Sequence, residues 1–443
     1  MKCLIIAAGR GSRLWRRGRC KPLVPVLGVP LIERVIRTAS NTGVTDFYVV
    51  TGHEGECLRF FLSDLARRLP HIHIHSIENP DWQRGNGTSV LSAKDHLQEP
   101  FFLLMCDHLF DSAIMADLCR QPPPENEVIL AVDYNVGRRH IKKEDVTRVA
   151  SNNGRVRDIG KGLASYNGFD TGVFLCSSVI FEALEQNANN RAELNLTDGI
   201  RRLAAEGLVR AVDIGGKFWV DVDEPGDLLR AENELLKQVR HKPHDGMVAR
   251  YVNRPLSVRI SKRIARTSIT PNQVTVLSFL LAVIGAAFFT IKGYLAMLLG
   301  GLLSQAASIV DGCDGELARL KYCESEYGGW LDAVLDRYAD GMLLLALTWR
   351  AQSEVRPSLA FLVGFLAIIG SFLVSYTAGK YDALRQERLD SRLTFRIGRD
   401  LRIFIIFIGA FLNQAFLTLL AITVVMNLET IRRLRVFRRY LFN

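Results

Sequence analysis

From about residue 272 to residue 430 the chain runs through apolar stretches long enough to cross a bilayer, and nothing else in it is so constraining. Inside lipid each backbone amide must find its partner within its own segment, so these stretches must be helices. Six are expected, at about 272–291, 294–312, 329–349, 357–378, 400–413 and 414–430, the last two abutting at Asn413–Gln414. An even number puts both ends of this half on one side of the membrane. Lys380, Arg385, Arg388, Arg392, Arg396, Arg399 and Arg402 fall in one loop, and Arg432, Arg433, Arg435, Arg438 and Arg439 in the tail. The opposite loops hold only Lys292, Arg350 and Arg356. Lys- and Arg-rich loops stay in the cytoplasm, so a multi-pass cell-membrane protein is expected, with its N-terminal half and tail cytoplasmic.

Within these spans lies DGCDGELARLKYCESEYGGWLDAVLD, residues 311 to 336. Ionisable groups at bilayer depth are costly and usually functional. Asp311 and Asp314 are three apart near the end of one helix, and Asp332 and Asp336 four apart near the start of the next, so each pair projects from one face. Four converging carboxylates repel one another unless cations hold them, and hard oxygen ligands suit Mg2+, Mn2+ or Ca2+. The plainer reading is a ring of capping and salt-bridged acids, but Arg319 alone cannot neutralise four.

Written as D-x2-D-G-x2-A-R-x8-G-x3-D-x3-D, the stretch resembles the signature of the CDP-alcohol phosphotransferase family. The resemblance implies transfer of a phosphoalcohol from a CDP-alcohol to a hydroxyl, with release of CMP. It also implies metal ligands at Asp311, Asp314 and Asp332, a general base at Asp336 that can also touch metal, and a CDP site lined by Gly315, Ala318 and Arg319. Arg396, Arg399 and Arg402 recur every three residues, with Lys380 nearby. They suit a phosphate-bearing acceptor, and positive-inside anchoring explains them equally well.

Residues 1 to about 240 mix charge and apolar runs as soluble domains do. KCLIIAA reads as a buried strand, followed by GRGSRL and then KPLVPVLGVPLIERVI. Strand, glycine-rich turn and helix make a phosphate cradle, with Gly9 and Gly11 baring backbone amides and Arg13 and Lys21 adding positive charge. The run resembles the sugar-phosphate nucleotidyltransferase family, which implies an α/β Rossmann-like domain. By that resemblance Gly85 and Thr88 in GNGTS read the nucleobase, Lys161 contacts the sugar phosphate, and Asp107 and Asp221 bind Mg2+ (or Mn2+). Asp223 stands where the family has glycine, so which of Asp221 and Asp223 coordinates stays open.

The expected division is a cytidylyltransferase-like domain over 1–240, a hinge with a basic amphipathic helix over 241–270, and the membrane domain over 271–443. In the hinge, Leu256, Ile260 and Ile264 recur every four residues among Arg254, Arg259, Lys262, Arg263 and Arg266. TPNQ at 270–273 supplies an N-cap, an N1 proline and a capping-box glutamine. The net charge of +10 is accounted for by topology, so no nucleic-acid partner is expected. Eight cysteines without CxxC spacing fit a reducing compartment, and no cleavable leader is expected. His71, His73 and His75 alternate with isoleucine as on an edge strand.

The whole chain resembles the bifunctional family that couples a CTP:inositol-1-phosphate cytidylyltransferase to a di-myo-inositol phosphate phosphate synthase. That implies CTP and inositol-1-phosphate as substrates, CDP-inositol as intermediate, the bilayer as surroundings and a homodimer through the membrane domain. The alternatives are a phospholipid synthase using CDP-diacylglycerol beside a degenerate or separately acting N-terminal domain, and a six-span transporter with a regulatory domain.

Overall fold

The structure is a computed structural model that describes residues 1–11, 20–137, 146–188, 192–240, 245–388 and 397–442. Arg13 and Arg396 lie outside the described residues, as does the side chain of Lys380. The chain divides into two compact units, Met1–Glu234 and Leu235–Asn443.

The first unit is built on a nine-stranded mixed sheet of β1 (Lys2–Ala7), β2 (Asp46–Thr51), β3 (His73–Glu78), β4 (Phe101–Met105), β5 (Val128–Asp133), β6 (Arg148–Asn152), β7 (Arg155–Gly160), β8 (Gly168–Cys176) and β9 (Val209–Asp213). The spatial order is β3-β2-β1-β4-β8-β5-β9-β7-β6. The first four strands run parallel, and β8 turns antiparallel against both β4 and β5. Apolar runs without alternation, such as CLIIA in β1 and VILAVD in β5, are buried throughout, as expected of strands covered on both faces. The histidine-rich strand β3 is the sheet edge, where His75 stacks on Tyr48 at 4.9 Å. Ligands of open α/β sheets bind beyond the carboxyl ends of the strands, which here are Ala7 of β1 and Met105 of β4.

The second unit is helical. A short helix α1 (Arg254–Ile264) precedes α2 (Pro271–Thr290), α3 (Tyr294–Lys321), α4 (Glu326–Ala351), α5 (Pro357–Arg388), α6 (Arg399–Phe411) and α7 (Ala415–Phe442). Thr270 caps α2 through the expected box: its hydroxyl accepts from Gln273 N at 3.4 Å, and Gln273 Oε1 accepts from Thr270 N at 3.0 Å. Among the described residues four helices are long and apolar enough to cross a membrane: α2, α3, the 357–379 part of α5 and the 415–438 part of α7. The other two expected spans form helices but miss that standard. Helix α4 carries Asp332, Asp336, Arg337 and Asp340. Helix α6 has 13 residues, roughly 20 Å of rise, against a hydrocarbon layer of about 30 Å.

Helix α1 packs differently from a simple surface helix. Its buried face is Arg254, Ser257 and Ser261, while Leu256 of the apolar stripe stays exposed. The reason is Glu316 on α3, wholly buried, which accepts from Arg254 Nη1 at 2.8 Å, Ser257 Oγ at 2.6 Å and Ser261 Oγ at 2.7 Å. Asp245 closes the network on the other side of Arg254 at 2.8 Å. A buried carboxylate needs such partners, so the polar face of α1 is the one that docks.

Two candidate active sites

In the sheet unit, a cleft of about 490 Å³ opens beyond β1 and β4, lined among others by Gly9, Gly11, Lys21, Gly85, Asp107 and Lys161. Gly11 has φ +59°, and a Cβ there would sit 2.4 Å from the Cβ of Lys21. Gly85 has φ +103°, with the carbonyl of Leu194 2.3 Å from where its Cβ would be. Both turns therefore require glycine. Thr88, expected at the base, lies outside this lining: its hydroxyl donates to Gly85 O at 2.8 Å and accepts from Asn79 Nδ2 at 3.0 Å. Asn86 and Ser89 line the cleft instead.

Lys21 bridges Asp107 and Asp223. Burial alone would lower its ammonium, but those two carboxylates outweigh it and hold it well above the ordinary lysine value. Strand pairing gives Asp221 and Asp223 different surroundings. A two-stranded ribbon pairs His108–Phe110 with Trp219–Asp221, placing Asp221 opposite His108 and next to Asp107. Asp107, His108 and Asp221 each offer a donor atom within 4.8 Å of the others. Asp221 Oδ1 is buried and accepts no hydrogen bond, a situation that a bound cation relieves. Asp223 is instead the partner of Lys21. Close by, burial pushes the Asp170 carboxyl up to about 6, against the lowering effect of a hydrogen bond from Gly172 N.

In the helical unit, Asp311, Asp314 and Asp332 each offer an oxygen within 4.8 Å of the others. Helix α2 orients two of them: Thr275 Oγ1 donates to Asp314 Oδ2 at 2.7 Å and Ser278 Oγ to Asp311 Oδ1 at 3.2 Å. The hydroxyls are three residues apart, matching the spacing of the aspartates they serve, and that register is the sequence signal by which they are recognisable. Arg399 Nη1 reaches both Asp311 Oδ2 at 2.8 Å and Asp336 Oδ1 at 2.6 Å, while its Nε donates to Asp340 Oδ1 at 3.3 Å. Asp340, one turn beyond Asp336, continues the every-four spacing of Asp332 and Asp336 on α4 but lies outside the family signature.

Arg402 departs from the expected role of gripping an incoming phosphate. It is 1% exposed, paired with Asp340 and donating to Ser371 O at 3.3 Å, because its position on α6 turns it into the bundle. Arg399 keeps the acid cluster as its neighbour. Arg319, on the last turn of α3, donates to Val239 O at 3.4 Å, with Ala318 next to it and Gly315 one turn before.

The model of the MobA-like NTP transferase domain matches residues 3–208, and that of the CDP-alcohol phosphatidyltransferase family matches residues 268–429. A protein of Rubrobacter xylanophilus named bifunctional IPC transferase and DIPP synthase is 40% identical over 98% of this chain and 96% of its own. One of the same name from Aquifex aeolicus is 32% identical over 97% of this chain and 96% of its own. The solved inositol-1-phosphate CTP transferase from T. maritima superposes with a TM-score of 0.46 at 24% identity, covering 51% of this chain and 90% of that one. With two carboxylate sites on two differently built units and full-length likeness of this degree, the chain belongs to the family of bifunctional IPC transferases and DIPP synthases.

Proposed function

We propose that the sheet unit makes CDP-inositol from CTP and inositol-1-phosphate, and that the helical unit transfers phosphoinositol from CDP-inositol to a second inositol-1-phosphate. The observation that carries this reading is the pair of carboxylate clusters in one chain, Asp107 with Asp221 in the sheet unit and Asp311 with Asp314 and Asp332 among the helices.

In the first reaction a phosphate oxygen of inositol-1-phosphate attacks the α-phosphorus of CTP. The bond to the β-phosphate breaks and pyrophosphate leaves. No base is needed, since the nucleophile is already ionised. Gly9 and Gly11 bare amides to the triphosphate, Arg13 and Lys21 neutralise it, Gly85 with its loop meets the base, and Lys161 meets the inositol phosphate. Asp107 and Asp221 would hold a divalent cation such as Mg2+, which would supply charge stabilisation at the attacked phosphate.

In the second reaction a hydroxyl of the acceptor attacks the phosphorus bearing inositol. The bond to the bridging oxygen breaks, CMP leaves with the electron pair, and Asp336 takes the hydroxyl proton. Asp311, Asp314 and Asp332 would hold the cation of this unit; Gly315, Ala318 and Arg319 line the CDP site. Arg399, beside the same acids, meets the acceptor phosphate together with Lys380 and Arg396. In the membrane, α4 and α6 complete six spans by packing against the four longer helices, both ends of the chain face the cytoplasm, and two copies pair through this half.

Protein in detergent is incubated with CTP, Mg2+ and inositol-1-phosphate, with pyrophosphate and CMP followed separately. Release of both is expected. Pyrophosphate without CMP would confine activity to the sheet unit, and a lipid-soluble product from CDP-diacylglycerol would replace the inositol reading with phospholipid synthesis.

A further inference from the structure

His108 belongs to no part of either reaction as written, yet it is held from several sides beside Asp107 and Asp221. Its Nδ1 lies 2.8 Å from the carbonyl oxygen of Thr171, which can only accept, so Nδ1 carries a proton. That leaves Nε2 to face the acids, 3.5 Å from Asp221 Oδ1 and 3.9 Å from Asp107 Oδ1. Thr171 is itself fixed, its hydroxyl donating to Ala131 O at 2.8 Å. The ring occupies space that only glycine leaves open: Gly172 has φ +75°, and a Cβ on it would lie 2.3 Å from His108 Nδ1. Trp219 stacks on the far side at 6.3 Å, its indole nitrogen tied to Asp133 at 2.8 Å. A carbonyl on one ring nitrogen with the other aimed between two carboxylates is the arrangement that metal-ligating histidines adopt.

We propose that His108 Nε2 is a protein ligand, with Asp107 and Asp221, of the divalent cation in the sheet unit. This rests on the reading of those two aspartates as metal ligands and adds a nitrogen donor to it. Its consequence is chemical. Imidazole favours transition-metal ions over Mg2+, whereas the helical site offers carboxylate oxygen from Asp311, Asp314 and Asp332. The two units of one chain therefore differ in metal preference.

Mn2+ is the probe, bound to the full chain in detergent without a histidine tag and read by electron spin echo envelope modulation. Nitrogen-14 modulation is expected in the wild type, changing to the nitrogen-15 pattern when histidine alone is labelled and disappearing in His108→Gln. All nine histidines precede residue 245, so none lies on the membrane helices. Bound Mn2+ that Asp107→Asn removes, without nitrogen modulation in the wild type, would overturn the histidine ligand and leave the aspartate reading standing. Modulation that survives in His108→Gln would overturn it too. Mn2+ stoichiometry unchanged by Asp107→Asn would overturn the aspartate reading and the inference with it. Should His108→Gln fail to fold, the labelled wild type still decides, since the absence of a nitrogen-15 pattern refutes any histidine donor.

Discussion

The two sites solve one electrostatic problem in different materials. In the sheet unit the acids sit at strand ends and on a ribbon, and the cation among them is Lys21, a flexible ammonium reaching Asp107 and Asp223. In the helical unit they sit on the rigid faces of α3 and α4, and the cation is Arg399, whose fork spans Asp311, Asp336 and Asp340. An ammonium is a point charge that changes partners readily, whereas a guanidinium fixes geometry along its fork. Lys21 thus joins two acids through a single point charge, while Arg399 also ties α6 to α3 and α4.

If the sites are independent in this way, substitutions should separate the two activities. The largest effect is expected from Asp336→Asn, which should lower CMP release from supplied CDP-inositol by roughly 10²–10⁴ and leave pyrophosphate release unchanged. Loss of both would break the comparison. Lys21→Ala is the mirror test: pyrophosphate release should fall by roughly 10²–10³, with CMP release from supplied CDP-inositol intact. Arg254→Ala sharpens the structural side. It strands the buried Glu316, and removal of one partner from a buried pair costs about 3–5 kcal/mol. The two serines retain Glu316, so the lower end is expected, read as a fall in the melting temperature of the helical unit in detergent. Arg254→Ala with Glu316→Gln should recover part of it. Smallest is Gly11→Ala. The positive φ costs about 1–2 kcal/mol and the added Cβ must push Lys21 aside, so the KM for CTP should rise by roughly 10-fold or more, with the CMP step unaffected.

What was legible in the sequence follows locality. The four aspartates could be placed because i, i+3 and i, i+4 spacings on a helix translate directly into a shared face. The cap at Thr270 was legible for the same reason, as was the edge strand at His73–Glu78. The six helical stretches were visible, but the standing of α4 and α6 as spans was not, because helix packing rather than composition must carry their charged or short segments. Three things resisted reading. The placing of Asp221 beside His108 and Asp107 depends on a ribbon joining residues more than a hundred positions apart. The difference between Arg399 and Arg402 depends on where Asp340 of another helix meets them. The docking face of α1 depends on Glu316, which looks like one more polar residue until α3 buries it.

By itself the sequence determined the chemistry available: carboxylates in pairs, a lysine and glycines at a strand end, and apolar runs that must be helices. Tertiary structure alone decided which of these groups meet, bringing His108 and Asp221 to Asp107 and Arg399 to Asp311 and Asp336. The physical reason is that helical periodicity and capping act within a few residues, whereas a charge is satisfied by whatever the fold places within about 4 Å of it.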